Sequence, residues 1–470
     1  MGRPDGIADP RLAVEGFFAM NVFQLRGGWR KAVLRSLFLW AVVVLSAGIG
    51  SVRADTPQPL TLNAAVQEAL RANPNVQAAT RHVAAAQQQT HVAKGQQYGE
   101  LDAVLTAQHL NDAQLLRPLA GPITPAVIGM LPFAQDQIHA GVAYSFPLYV
   151  GGRISNEISI AELGTDRARA LLRGTRSDIA YNVTALFAQA QALAAQAQAI
   201  SQELDELNTT RSNLELAVKI GKRPEVDLLK TVDRISEAEA DRTEVLAQQK
   251  TVLSALMALM GRDPSSQPTL APLPQATAAL TAGEDVLESN AANRSSVAAA
   301  SDAFRQANRR VAAARSALVP NVFLQASYFE HTDASDLSSD TWFVGLLASY
   351  PVFDGGSRRA EVSRRREEEK AAQADVEAAR LQAEAELQSA LAGWRAAADQ
   401  QKAASAQLAA AREVARIEQI KYDTGAGDIE DLLRARTREV GAESSEIAAR
   451  ARITVSGAQI NRVTENEVVR

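Results

Sequence analysis

Metal binding and acid–base catalysis both need side chains that converge, and this sequence offers few. It holds five histidines and no cysteine in 470 residues. His82 and His91 are nine apart on one helical stretch and point to opposite faces, while His109, His139 and His331 fall on or near strands. None has metal-ligand spacing, so neither a metal nor another cofactor is expected. There is no phosphate loop, no Gly-x-Ser-x-Gly and no clustered Ser, His and Asp pattern, so the chain is not expected to be an enzyme. The missing cysteine also excludes a disulfide framework, a thiolate zinc site, a Cys nucleophile and a lipidated N-terminal cysteine. The run from Arg364 to Lys370 reads as a solvated helix face with i, i+3 and i, i+4 pairs, with lipid-headgroup contact as the competing reading.

The elements that would position such groups are duplicated. Ser145-Phe146-Pro147-Leu148-Tyr149-Val150-Gly151-Gly152 recurs as Ser349-Tyr350-Pro351-Val352-Phe353-Asp354-Gly355-Gly356, an offset of 204. Gly221 with Asp227-Leu228-Leu229-Lys230 recurs at the same offset as Gly425 with Asp431-Leu432-Leu433-Arg434. Such constant register marks an internal repeat. Upstream, Ala72-Asn73 with Val76 matches Ala292-Asn293 with Val297, and the first copy carries about 17 extra residues in the proline-rich stretch 110–137.

Alternation predicts strands. Ile138, Ala140, Val142, Tyr144, Phe146 and Leu148 share one face, with small or polar residues on the other, and Trp342, Val344, Leu346, Ala348, Tyr350 and Val352 repeat the pattern. Shorter partners are expected at 101–110 and 321–331. Strands of this kind suit an outer-membrane barrel or a soluble sandwich, and the alternation alone does not choose between them.

The helices do choose. Residues 155–220 contain no proline and read as one helix of about 65 residues, roughly 100 Å long, with its copy at 358–424. Only a coiled-coil arrangement accommodates that length. Return helices are expected at 225–260 and 284–318, separated by a linker with Pro264, Pro268, Pro272 and Pro274 and together matching the long helix. The terminal helices 60–98 and 428–463 are expected to stack end to end. With alanine at 89 residues and aromatics at 5%, closely packed helices are a better fit than an aromatic-rich core.

Residues 26–54 read as an export signal: Arg26, Arg30, Lys31 and Arg35, then an apolar run, then Val52 and Ala54 at −3 and −1. Met20 is an alternative start. Cleavage after Ala54 removes 7 basic and 3 acidic residues, leaving 42 basic against 51 acidic, net −9. An acidic exported chain is a poor nucleic-acid binder.

With these features, residues 55–470 resemble the outer membrane efflux proteins, the TolC-like exit ducts. The resemblance rests on the duplicated plan, on Phe146-Pro147-Leu148-Tyr149-Val150-Gly151-Gly152 and its copy, and on Tyr422-Asp423-Thr424-Gly425 followed by Asp431-Leu432-Leu433. It implies an α+β membrane protein, internally duplicated. Three chains of four strands form a 12-stranded β-barrel, continued by a 12-helix periplasmic α-barrel. It implies a homotrimer in outer-membrane lipid, a periplasmic adaptor, and an inner-membrane pump of RND, ABC or MFS type. The domains expected are a signal peptide at 1–54, a first repeat at 55–283 with an equatorial linker at 261–283, and a second repeat at 284–470. Cargo is small molecules or secreted proteins; a periplasmic adaptor or structural coiled coil is the alternative of a different class.

The resemblance also assigns roles. Gly221, Pro224, Gly425, Gly427, Leu228 and Leu432 belong to the helical tips where an adaptor docks. Asp431 corresponds to a constriction-ring carboxylate, Asp227 is its copy, and Tyr422 resembles an interprotomer tyrosine. The second ring carboxylate is replaced by Arg434 and a basic latch residue by Gly427. A helix-capping role for Asp428 and Asp431 competes with the gate. Trp342, Val344, Leu346, Ile138, Val142 and Tyr144 are expected on the lipid face of the barrel.

Overall fold

The computed structural model describes residues 59–118, 124, 131–273, 283–333 and 338–466. The expected signal segment and Ala54 lie outside these. The elements are α1 (Leu62–Ala72), α2 (Pro74–Gly95), β1 (Glu100–Leu115), β2 (Phe133–Tyr149), α3 (Arg153–Lys219), α4 (Glu225–Leu259), α5 (Glu284–Ala292), α6 (Ser295–Ser316), β3 (Asn321–Asp333), β4 (Ser338–Ser349), α7 (Ser357–Asp423) and α8 (Ile429–Thr464).

The two long helices, α3 and α7, each run for 67 residues. Their freedom from proline explains this length, and Gly151-Gly152 and Gly355-Gly356 lead into them from the strands. Two expected helices are broken. Asn73 interrupts 60–98: its side chain accepts from the Asn75 amide at 2.8 Å, capping α2, whose first residue is Pro74. Its repeat counterpart Asn293 lies in the break between α5 and α6.

The stacking of half-helices differs from expectation. The end of α4 meets the break between α1 and α2, where Asn73 Nδ2 donates to the Leu259 carbonyl at 2.7 Å and Arg262 pairs with Glu68 at 2.5 Å. Ala65, Ala69, Val76, Val183, Phe187, Leu256, Met257 and Met260 are buried together there. The end of α8 meets the start of α6, where Glu465 accepts from the Ser295 amide at 2.9 Å, and Leu287, Leu387, Ile460 and Val463 form the neighbouring core. Each return helix is therefore completed by a half-helix from the other end of the repeat order: α4 by α2, and α8 by α6. Three-dimensional packing sets this exchange, and matching lengths could not reveal it.

All four strands form one antiparallel sheet in the order β1-β2-β3-β4. Several strand boundaries differ from the sequence reading. β1 and β2 extend into the proline-rich stretch, to Leu115 and from Phe133, with a register shift between His109 and Gln114. β4 stops at Ser349 instead of continuing through Tyr350 and Val352. Ser349 pairs with Asn321, and the next partner would be Pro320, which has no amide hydrogen to extend the ladder. Pro147 is accommodated inside β2 beside a register shift between Pro147 and Tyr149.

Candidate functional site

Both helical hairpins end in the same turn. At the first, the Lys222 amide donates to the Ala217 carbonyl at 2.8 Å and Gly221 to Val218 at 2.9 Å; at the second, Ala426 donates to Lys421 at 2.8 Å and Gly425 to Tyr422 at 3.1 Å. These are paired Schellman bonds, which require a left-handed residue after the helix, and Gly221 and Gly425 have φ of +71° and +79°. Pro224 sits just before the first turn of α4, at the N-cap, rather than inside it. Asp428 is the N-cap of α8 and accepts from the Glu430 amide at 3.4 Å.

The two tips are joined by a small apolar cluster. Leu214, Ile429 and Leu432 are buried, with Leu228, Tyr422 and Leu433 packed around them. Leu228 and Leu432, expected at a docking surface, therefore hold one hairpin against the other. Exposed apolar groups at the first tip are instead Leu216, Ile220, Val226 and Leu229.

Polar contacts repeat the same link. Arg223 lies over the Tyr422 ring, 4.4 Å from its centroid, and its Nη2 donates to the Tyr422 carbonyl at 2.9 Å. Lys230 Nζ reaches Glu430 Oε2 at 2.9 Å, which raises the lysine pKa and lowers that of the glutamate. Neither Arg223 nor the Lys230 to Glu430 pair was singled out from sequence, although a signal existed for the first. Arg223 occupies in the first copy the position that Gly427 occupies in the second, so a basic tip residue is retained on the other hairpin. At Gly427 itself, an added Cβ would lie 2.9 Å from Lys421 Cβ, which leaves no room for a longer side chain without movement.

The equivalent carboxylates have opposite surroundings. Asp227 is buried, at 5% exposure, and burial followed by the nearby Asp428 raises its pKa, against the opposing pull of Arg223 and Lys230. Asp431 is exposed, with Arg434 Nη1 at 3.7 Å from its Oδ1. The side-chain cap of α8 is Asp428, so Asp431 remains open to solvent at the start of that helix. Burial also raises the pKa of Tyr422.

In the sheet, register places the expected lipid-facing side chains on one face. Val142 pairs with Tyr328, which pairs with Trp342; Tyr144 pairs with Ala326, which pairs with Val344; Phe146 pairs with Leu324, which pairs with Leu346. Ile138 shares the parity of Val142 on β2. Trp342, Val344 and Leu346 are exposed in the single chain, as are Ile138 and Val142, while Tyr144 donates its hydroxyl to the Tyr98 carbonyl at 2.7 Å. The opposite face carries Gln108, Gln137, His139, Ser145, Gln325, Ser327 and His331. Among the described residues, no helix is long and apolar enough to cross a membrane.

The outer membrane efflux protein profile matches residues 65–262 and 286–464, which cover both repeats. The chain belongs to the outer membrane efflux protein family. Protein CyaE of Bordetella pertussis is 25% identical over 325 residues, 68% of this chain and 67% of that protein. Outer membrane protein OprJ of Pseudomonas aeruginosa is 25% identical over 209 residues, 43% of each chain. The Campylobacter jejuni CmeC outer membrane channel shares the fold, with a TM-score of 0.73 at 16% identity, covering 87% of this chain and 86% of that one. Family membership places this efflux protein in the outer membrane of a Gram-negative bacterium, with a periplasmic extension. It also makes the protein a general exit duct rather than an enzyme, in a family that works with an adaptor and an inner-membrane pump.

Proposed function

We propose that three copies of this efflux protein close a 12-stranded barrel continued by a 12-helix periplasmic tunnel, and that the duct is gated at the helical tips. The observation that carries this reading is the sheet itself. Its four strands leave β1 and β4 as free edges, and a strand edge in hydrocarbon leaves unpaired backbone groups costing several kcal/mol each. Copies joined edge to edge by β4 and β1 satisfy both. The apolar outer face formed by Ile138, Val142, Tyr144, Trp342, Val344 and Leu346 then meets lipid, and the polar face lines water.

At the other end, Asp431 projects into solvent from the second hairpin, where three copies would form a ring of carboxylates around the axis. Arg223 and Lys230 hold the first hairpin to the second, so breaking these contacts opens the mouth. An adaptor docks at the tips, where the two glycine turns and the exposed Leu216, Ile220, Val226 and Leu229 lie. The inner-membrane pump selects the cargo, small molecules or secreted proteins, and the duct carries it passively. The repeats at 55–283 and 284–470 act as the two hairpin-bearing halves of each protomer.

The test is electrophoresis of outer-membrane fractions with and without heating. A heat-modifiable species of three chains supports the reading; a monomer in the periplasmic fraction contradicts it.

A further inference from the structure

The polar face of the sheet holds a pair of side chains that export does not use. His139 on β2 and His331 on β3 are direct register partners. Their Nδ1 atoms are 2.7 Å apart, with ring centroids at 4.9 Å and ring planes at 71°. The outer nitrogens are held as well: His331 Nε2 lies 2.8 Å from Thr341 Oγ1, and His139 Nε2 lies 3.2 Å from the Gln108 amide nitrogen. His331 is buried, at 9% exposure.

Proton positions follow from this network. The Gln108 amide donates to His139 Nε2, His139 Nδ1–H donates to His331 Nδ1, and His331 Nε2–H donates to Thr341 Oγ1. Both imidazoles are neutral in this relay, and one hydrogen occupies the space between the rings. If His139 changes tautomer, moving its proton from Nδ1 to Nε2, the Gln108 amide must turn to present its oxygen and give up its 3.0 Å bond to Gln137 Oε1, and two Nδ1 lone pairs then face a common point. No proton is gained or lost. The rings then present two adjacent nitrogen ligands, each oriented through its other nitrogen, which is the second-shell arrangement of metal-binding histidines. A tetrahedral zinc with Zn–N near 2.05 Å would need the nitrogens to separate to about 3.3 Å, a movement within reach of two side-chain torsions.

We propose that His139 and His331 bind a late first-row divalent metal ion, copper, nickel or zinc. Neutral imidazoles suit these ions and not magnesium or calcium. Among the described residues, no group of three or more His, Cys, Asp or Glu side chains is placed to hold a metal, so water completes the coordination sphere. Selection rests on the nitrogen donors. The site lies toward the end of the sheet remote from the long helices. Its position on the duct wall, and hence any effect on flow, rests on the barrel reading above.

Isothermal titration of the detergent-purified full-length protein, prepared without a polyhistidine tag, tests the site with NiCl2 and MgCl2. One nickel per chain and no magnesium are expected. His139→Asn and His331→Asn should each abolish the nickel signal. His109→Asn should keep it, because His109 pairs with Asp136 at 2.7 Å away from the His139 and His331 pair. Thr341→Val leaves both rings in place and should weaken nickel binding roughly tenfold; this variant guards against misfolding of the histidine substitutions. No nickel uptake by the wild type, or uptake unchanged in both histidine variants, overturns the proposal. Titration needs no pore: nickel binding by a protein that does not conduct sinks the duct reading alone, and a conducting protein that takes up no nickel sinks this site alone.

Discussion

Arg223 of the first tip lies against Tyr422 of the second, contacting both the ring and the carbonyl oxygen. The contact joins two segments 199 residues apart in sequence and fixes one hairpin to the other at their ends. Cation–π contacts of this kind contribute about 0.5–2 kcal/mol according to their exposure. Lysine lacks the planar fork that stacks and donates together, so Arg223→Lys should behave more like Arg223→Ala than like the wild type.

Asp431 and Asp227 are repeat equivalents with different expected effects. In the proposed trimer, three exposed Asp431 carboxylates near the axis would attract cations, and Arg434 at 3.7 Å would partly offset each one. Asp431→Ala should reduce cation selectivity and weaken block by multivalent cations in planar-bilayer recordings. Asp227→Ala should leave selectivity unchanged, since that side chain is buried between the hairpins.

The raised pKa of Asp227 gives a pH dependence of unusual sign for a carboxylate. Between the unfolded value of 3.8 and the higher folded value, the folded chain binds more protons, so stability falls as pH rises through that window. Above it, the ionised side chain is a standing cost to the folded tip. Asp227→Asn should therefore raise the melting temperature at pH 7 relative to wild type and flatten the decline above pH 3.8. Melting curves of both proteins recorded between pH 4 and 7 check this; an advantage of the variant that does not grow as pH rises contradicts it.

The face that meets lipid can be tested with one substitution on each side of the sheet. Val344→Arg should cost about 2–4 kcal/mol near the membrane midplane and lower the yield of assembled protein. Gln325→Arg, on the polar face, should not. Equal yields of Val344→Arg and Gln325→Arg would reverse the assignment of faces.

Much of the fold was legible because the repeat carries its own check. The long helices lie within two residues of their expected bounds, since no proline interrupts them and each ends at a glycine turn. The break at Asn73 had a signal, an Asn-Pro pair, that the reading of one helix over 60–98 passed over, and its repeat partner Asn293 carries no proline to announce it. The exchange of half-helices was not legible, because it depends on which surfaces meet around Phe187 and Ile460. Of the tip residues, Gly221 and Gly425 could be read from backbone need alone. The different burial of Asp227 and Asp431 could not, because identical motifs on two hairpins face different neighbours. The pairing of His139 with His331 was hidden for the same reason: 192 residues separate them, and only the strand register brings them together.

If this efflux protein forms a water-filled duct whose narrowest point is the helical tip, loosening the tip must raise its conductance. Single-channel conductance of the purified protein in planar bilayers, compared with that of the Arg223→Ala/Lys230→Ala double variant, tests it most directly. A low-conductance wild-type pore and a several-fold higher conductance in the variant are expected, at equal trimer content. Equal conductance in the two proteins, or no pore from either, would contradict it.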